Sequence, residues 1–286
     1  MRKKEIKEVT LFFVISIFLS LFVFWGPIAI LKVPAMGFKS GAAGPIWAII
    51  FFIIGGFVPS ITGIILTIFF EGKKHAKQLV KAAFQVKISF KWFTAIVLIA
   101  SYYAVSCIIL YSALGGHFKY TKFLTLLPTI LPLFLLGPLS EEYGWRGFAL
   151  KRLLKIVNPN LASLILGLVW SLWHLPLFYM LGINQYEYHL SFLTFIISVT
   201  SMCFVYTYIY IRTNQNLFTA VLFHWVYTFL SDVVNSGIVR SSLYNILEFA
   251  PSLLLGIVFA FMLYRSQVEV STANAGNKLR LQSPEK

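Results

Sequence analysis

The segment 139–151, LSEEYGWRGFALK, holds the side chains of this sequence that are best suited to chemistry. It places two adjacent carboxylates, Glu141 and Glu142, and one guanidinium, Arg146, at the end of an apolar run long enough to lie in a bilayer. Ionisable groups at such a depth are costly, and those that occur usually face a bundle interior and take part in function. The segment therefore predicts a polar site inside a membrane.

The spacing within this segment separates the two carboxylates. Glu142 and Arg146 are four residues apart and meet on one helical face, whereas Glu141 is turned away by about 100°. A buried ion pair that only fixes the span would explain Glu142 and Arg146 equally well. It would leave Glu141 without a role, because one arginine needs only one partner.

Two histidines fall in the same depth band on other spans. Measured from one side of the membrane at about 1.5 Å per residue, Glu142 lies about 13 Å inward, His174 about 20 Å and His224 about 10 Å. Each histidine can be a hydrogen-bonded packing residue, but together with the acids they can form one site. Such a site supplies what peptide hydrolysis needs: a carboxylate that takes a proton from water, an imidazole that positions the water or holds a metal, and a donor for the oxyanion.

The other reactive side chains are expected to have structural or solvated positions. Three histidines fall in connections between apolar runs: His75, His117 and His189. Asp232 is expected near the membrane interface, although it can also line the same chamber. Cys107 and Cys203 each lie inside an apolar run and are interpreted as small buried hydrophobes.

The composition indicates a membrane protein. Of the 286 residues, 58% are hydrophobic and only 12% are charged, about half the charged fraction of a soluble domain. The net charge of +14 is dispersed among the connections between apolar runs. Membrane topology accounts for it better than a nucleic-acid surface does, so no nucleic-acid partner is predicted.

The apolar runs predict an all-α polytopic bundle of about eight transmembrane helices. The predicted spans are 9–31, 45–70, 93–114, 124–150, 161–181, 192–211, 217–234 and 243–264. Pro128, Pro132 and the Gly137-Pro138 pair interrupt the fourth, so we expect a kink beside a cavity next to the two acids. The segment 71–92, with six lysines, is expected to form an amphipathic helix at the cytoplasmic surface.

The basic residues also predict the orientation. With eight spans, 18 lysines and arginines fall on the side of the termini and five on the other. This asymmetry predicts that both termini are cytoplasmic, in a multi-pass protein of the cell membrane. Residues 1–264 are expected to form one domain, and the polar residues 265–286 a disordered cytoplasmic tail.

The motifs resemble those of the CAAX-protease and bacteriocin-processing family of intramembrane metalloproteases, which includes the type II CAAX prenyl endopeptidases. The family pattern is EExxxR, FxxxH and HxxxN or HxxxD on different spans. Here 141–146 matches the first, 170–174 gives WxxxH within WSLWHLPLF, and 224–228 gives HxxxT, which departs from the pattern. The family core is placed at about 124–235.

The resemblance implies a glutamate-dependent intramembrane endopeptidase. Glu141 and His174 would hold the attacking water, His224 would stabilise the oxyanion, and Arg146 would orient Glu142. Thr228 would stand where the family has an amide or a carboxylate, and its hydroxyl donates a single hydrogen bond. A zinc ion held by Glu141, His174 and His224 and a metal-free mechanism both remain open.

Two other functions stay in competition with proteolysis. A non-catalytic membrane protein of the same fold, for example one for bacteriocin self-immunity, is favoured by the HxxxT departure. A transporter would use the two glutamates as a proton relay, but the sequence lacks paired broken helices in two repeated halves. The expected partners are membrane lipids and a membrane-associated peptide or protein; the sequence does not indicate an oligomeric state.

Overall fold

The computed structural model describes residues 2–35, 44–120 and 126–282, with side chains described up to residue 268 except that of residue 242. The regular secondary structure of these residues is entirely helical, which confirms the predicted all-α class. The elements are α1 (Arg2–Leu31), α2 (Ile46–Glu71), α3 (Lys73–Ala82), α4 (Phe90–Ala113), α5 (127–156), α6 (Pro159–Trp173), α7 (Asn184–Glu187), α8 (Phe192–Arg212), α9 (Leu217–Gly237), α10 (Ser242–Leu247) and α11 (Ala250–Gln282). The predicted start of the fourth span at residue 124 lies outside the described residues.

The number of spans agrees with the prediction of about eight. In the described part of the chain, seven helices are long and apolar enough to cross a membrane: α1, α2, α4, α6 with the turn that follows it, α8, α9, and α10 with α11. The remaining predicted span is α5, an unbroken series of short α, 3₁₀ and π stretches. The chain is therefore a multi-pass membrane protein.

Side chains at the helix starts explain why the last spans begin where they do. The side chain of Asn158 accepts a hydrogen bond from the Leu161 amide at the start of α6. Ser191 caps α8 and Asn216 caps α9 in the same way. Each cap satisfies a backbone donor that the helix itself leaves free, so short polar connections are enough to separate these spans.

Two helices differ in extent from their predictions. Only Lys73–Ala82 of the lysine-rich segment 71–92 is helical before α4 begins. At the other end of the chain, α11 continues through the polar residues 265–282, for which disorder was predicted. A packed helix is already nucleated, so it can propagate into a polar segment that would not form a helix alone.

Small residues let α2 cross α5 next to the glutamates. A Cβ atom added to Gly63 of α2 would lie 2.9 Å from the Gly144 Cα, and one added to Gly144 would lie 2.3 Å from the Pro59 carbonyl oxygen. Two backbones can approach this closely only where both partners lack side chains. The part of α5 that follows Glu142 is thereby held directly against α2.

A buried arginine ties the end of α5 to two other helices. Arg152 is 3% exposed; its Nε donates to Glu8 of α1 at 2.6 Å and its Nη2 to Glu71 of α2 at 2.5 Å. A third bond runs from Nη1 to the Phe148 carbonyl oxygen at 3.2 Å. The predicted spans leave Arg152 in the connection between the fourth and the fifth, and the structure makes it an internal anchor for three helices.

Candidate active site

The two glutamates lie in α5 between two π-helical stretches, Leu135–Leu139 and Tyr143–Leu150. Pro138 cannot donate a backbone hydrogen bond, which disfavours regular α-helical pairing before the glutamates. The Ser140 hydroxyl donates to the carbonyl oxygens of Leu136 and Gly137, each at 2.8 Å. The predicted interruption is thus present as a wide helical turn, a feature often found at functional sites.

Glu142 is the centre of a buried ionic group. Its Oε1 atom accepts from Arg146 Nη1 at 2.7 Å and from His224 Nδ1 at 2.7 Å. Neither Glu142 nor Arg146 has any exposed side-chain surface. The predicted pair between these two residues is present, and it also holds His224, which the sequence did not indicate.

Aromatic rings replace water around the arginine. The guanidinium carbon of Arg146 lies 3.8 Å from the ring centre of Tyr206 and 4.3 Å from that of Trp170. Nη2 contacts the Cys203 sulfur at 3.6 Å. A cation between two π-faces keeps a favourable electrostatic environment after losing its hydration. This explains how a fully buried arginine can lie inside the bundle.

Glu141 has different surroundings. Its Oε2 atom accepts a 2.6 Å hydrogen bond from the indole nitrogen of Trp170. Glu141 also lines a cavity of about 90 Å³, which has room for a few water molecules. The cavity is lined by Trp25, Phe52, Ile53, Gly56, Phe57, Leu136, Glu141, Trp173, His174 and Leu177. Of the two acids, only Glu141 can therefore meet a water molecule in this cavity.

His174 lies in the wall of the same cavity, at the end of α6. Its Nδ1 atom is 2.8 Å from the Trp170 carbonyl oxygen, so Nδ1 carries the proton and Nε2 has a free lone pair when the ring is neutral. Pro176 follows two residues later, and the chain changes there from α-helix to a 3₁₀ turn. This turn and the packing against Trp173, at 4.6 Å between ring centres, fix the imidazole at the cavity.

His224 also contacts Trp170, but it is not among the residues that line the cavity. The Trp170 ring is 5.7 Å from the His174 ring and 5.5 Å from the His224 ring, measured between centres. The Nε2 atom of His224 is 3.8 Å from the position of a Cβ atom added to Gly137. A side chain at position 137 would therefore occupy the space beside Nε2 of His224.

The structure brings five of the six predicted site residues into one connected group. Glu142, Arg146 and His224 form the ionic part, while Glu141 and His174 form the cavity part, and Trp170 contacts both. Thr228 lies one turn beyond His224, half-buried, and makes no hydrogen bond to the other five in the described part of the chain. The role predicted for Thr228 stays a prediction.

Sequence reasoning missed three side chains of this group: Trp170, Cys203 and Tyr206. Trp170 was treated as an aromatic position of the WxxxH motif, although its indole N–H is the partner of Glu141. Cys203 and Tyr206 lie on α8, which carried no motif, and no spacing within one span shows that they face Arg146. The signal that the sequence offers is Arg146 itself, because a guanidinium buried in a membrane needs aromatic rings or hydrogen-bond acceptors around it.

A zinc ion held by Glu141, His174 and His224 stays a prediction. Among the described residues, no three histidine, cysteine, aspartate or glutamate side chains are grouped so that they could hold a metal ion. Zinc sites in proteins use at least three such ligands.

The other predicted positions agree with the structure. Cys107 and Cys203 are free and buried, as expected for small hydrophobes. The three histidines placed in connections are exposed: His75, His117 and His189. Of these side chains, Cys203 belongs to the site through its contact with Arg146.

Comparison with known proteins gives matches in the part of the chain that holds the candidate site. The family model of the type II CAAX prenyl endopeptidases, Rce1-like, matches residues 123–230, which include all six predicted site residues. The CAAX prenyl protease 2 of Methanococcus maripaludis is 28% identical over 183 residues, covering 60% of this chain and 68% of that protein. These similarities support the CAAX protease family, and with it an intramembrane endopeptidase that acts on peptides or proteins.

Proposed function

We propose that this CAAX-family endopeptidase cleaves a membrane-associated peptide with a water molecule activated by Glu141. One observation carries the proposal: Glu141 and His174 line the same cavity within the bundle. Glu142 Oε1 is held by Arg146 and His224, and the side chain has no exposed surface. Because only one of the two acids lines the cavity, the base and the structural acid have separate positions.

The proposed reaction uses the protein's own groups. A water molecule in the cavity donates a hydrogen bond to Glu141 and another to the free Nε2 of neutral His174. As the water oxygen attacks the peptide carbonyl carbon, its proton passes to Glu141, and the carbonyl becomes an oxyanion. Glu141 then gives that proton to the leaving nitrogen, and the carbon–nitrogen bond breaks.

His224 is proposed to stabilise the oxyanion. Its Nδ1 hydrogen is bonded to Glu142, so Nε2 can donate a hydrogen bond only when the ring carries both protons. Arg146 holds Glu142 in place for this contact. Thr228, on the same face of α9 one turn away, is proposed to add one hydroxyl donor when substrate is bound.

The cavity wall suggests how a membrane-associated substrate reaches the site. Ile53 of α2 and Leu136 of α5 line the cavity and are each 36% exposed on the outside of the bundle. An apolar surface of this kind contacts lipid, so a peptide held at the membrane can approach from the bilayer. We propose a substrate that is anchored in the membrane by an apolar group. Peptides with and without a prenyl group distinguish one such anchor from others.

The orientation of the chain across the membrane and its location in the cell membrane are also proposals. Most lysines and arginines outside the spans fall on the side of the membrane that holds the N-terminus. This excess supports a protein of the cell membrane with both termini in the cytoplasm. Residues 124–235 are proposed as the catalytic core of a single membrane domain.

The deciding experiment is Glu141→Gln, measured in proteoliposomes with quenched-fluorescent peptides that carry or lack a prenyl group. Glutamine can still accept the Trp170 hydrogen bond, so the folded protein should keep its abundance and melting temperature. Turnover should fall by about 10² or more because the proton acceptor is lost.

The matched control is Asp232→Asn, which removes a carboxylate from α9 without touching the cavity, and it should keep turnover. Full activity of well-folded Glu141→Gln would refute the glutamate mechanism. A cellular function that survives in this variant would favour the non-catalytic binding protein.

Metal dependence is a separate proposal. We expect weak metal binding at most, because a glutamate and a histidine can activate the water without a metal ion. Elemental analysis of the purified protein tests this expectation. Stoichiometric zinc that disappears in the variant with both His174→Ala and His224→Ala would overturn it.

A further inference from the structure

The segment 73–91 carries six exposed lysines, here called the lysine surface. Its lysines are Lys73, Lys74, Lys77, Lys81, Lys87 and Lys91. All six are exposed, and none forms an ion pair within the described residues. The neighbouring acid, Glu71, is bound to Arg152 and does not neutralise them.

Apolar side chains are exposed between these lysines. Phe84 is 56% exposed, Val86 67% and Phe90 82%. α3 joins the end of α2 to the segment that enters α4, so the lysine surface lies where two spans leave the bilayer. Aromatic and aliphatic side chains mixed with lysines at such a level are typical of a segment in the membrane interface, with its ammonium groups among the lipid headgroups.

The inner face of this segment contacts the site helix directly. The Tyr143 hydroxyl donates to the Val80 carbonyl oxygen at 3.0 Å. A Leu79 methyl carbon lies 2.6 Å from where a Cβ atom of Gly147 would be, so the leucine occupies the space that this glycine leaves. Ala83 is buried with Tyr143 in one apolar cluster. The segment Tyr143–Leu150, which begins directly after Glu142, is therefore packed against α3.

We propose that the lysine surface binds the headgroups of anionic phospholipids, and that this contact holds Tyr143–Leu150 in the arrangement that catalysis requires. The charge of this segment supports anionic lipid as the occupant. Six exposed ammonium groups, without an ion pair in the described part of the chain, lie on the connection between two spans, and each can contribute roughly fivefold to affinity for an anionic membrane. The regulatory part rests on the proposed function, because it makes peptide hydrolysis dependent on lipid charge.

The test compares vesicles of phosphatidylcholine alone with vesicles that also contain phosphatidylglycerol. Wild-type protein should turn over peptide about fivefold or more faster with the anionic lipid. The variant Lys73→Gln, Lys77→Gln, Lys81→Gln should lose most of this difference. Lys3→Gln, Lys7→Gln, Lys151→Gln is the matched control, since it removes three exposed lysines at the same end of the bundle, and it should keep the difference.

Lipid binding is measured independently of activity, by native mass spectrometry of the protein with bound phosphatidylglycerol. The α3 variant should retain several-fold less of this lipid than the control variant. Loss of the activity difference with unchanged lipid binding would overturn the proposed contact. Because Glu141→Gln should bind the lipid normally while being inactive, failure of the lipid proposal and failure of the glutamate mechanism are distinguishable.

Tyr143→Phe tests the link between the surface and the site. It removes the hydroxyl that bonds to Val80 and keeps the ring in its apolar cluster. We expect normal phosphatidylglycerol binding with a reduced effect of that lipid on turnover. Equal loss in both lysine variants, or recovery with inorganic phosphate in phosphatidylcholine vesicles, would overturn the proposal in favour of general surface charge or a soluble anion.

Discussion

Replacing Arg146 with alanine should destabilise the protein strongly. The substitution leaves Glu142 without its guanidinium partner in a site with no exposed surface. Removing one member of a buried ion pair costs about 3–5 kcal/mol. The value should lie near the lower end of that range, because His224 still donates to Glu142 Oε1. Loss of the contacts with the Trp170 and Tyr206 rings adds about 1–2 kcal/mol.

The expected total of about 4–6 kcal/mol is a large part of the roughly 5–15 kcal/mol that stabilises a typical domain. Arg146→Ala should therefore reduce the amount of folded protein in the membrane as well as the activity. The assay is denaturant or thermal unfolding of purified protein in detergent, with membrane abundance measured in parallel.

A double variant separates charge from packing. Glu142→Gln with Arg146→Met removes both charges and keeps much of the side-chain volume, so it should be considerably more stable than Arg146→Ala alone. It should nevertheless be inactive, since His224 loses its carboxylate partner. A loss below about 1 kcal/mol in Arg146→Ala would refute the reasoning, because it would mean that water or another donor replaces the guanidinium.

Three further predictions concern other parts of the molecule. Arg152→Ala leaves two carboxylates without their shared partner and should cost about 3–5 kcal/mol; unfolding in detergent measures this, and a wild-type melting temperature would contradict the anchor role. Thr228→Asn should raise turnover by up to about tenfold with little effect on stability, if the residue supports the oxyanion; unchanged kinetics would remove it from the site. Reporter fusions after Lys81 and Lys155 should read cytoplasmic and one after Gln185 external, whereas a cytoplasmic reading at Gln185 would contradict the topology.

Features that depend on one segment of chain were predictable from the sequence. Apolar runs of membrane length indicated the spans, because a helix must cover the hydrocarbon core whatever its neighbours are. The spacing of Glu142 and Arg146 indicated their ion pair, since residues four apart always share a helical face. The Pro138 interruption was visible for the same reason: it acts on the backbone of its own helix.

Contacts between segments were decided only by the tertiary structure. Trp170 bonds to Glu141, Tyr206 covers Arg146, and Arg152 is buried against carboxylates of two other helices. None of these contacts follows from spacing, because the rotation of one helix about its axis relative to another is set by packing across the whole bundle. The sequence by itself therefore determined which groups lie at membrane depth and that one acid is paired. The tertiary structure decided that the other acid faces a cavity, because only the packed helices enclose one.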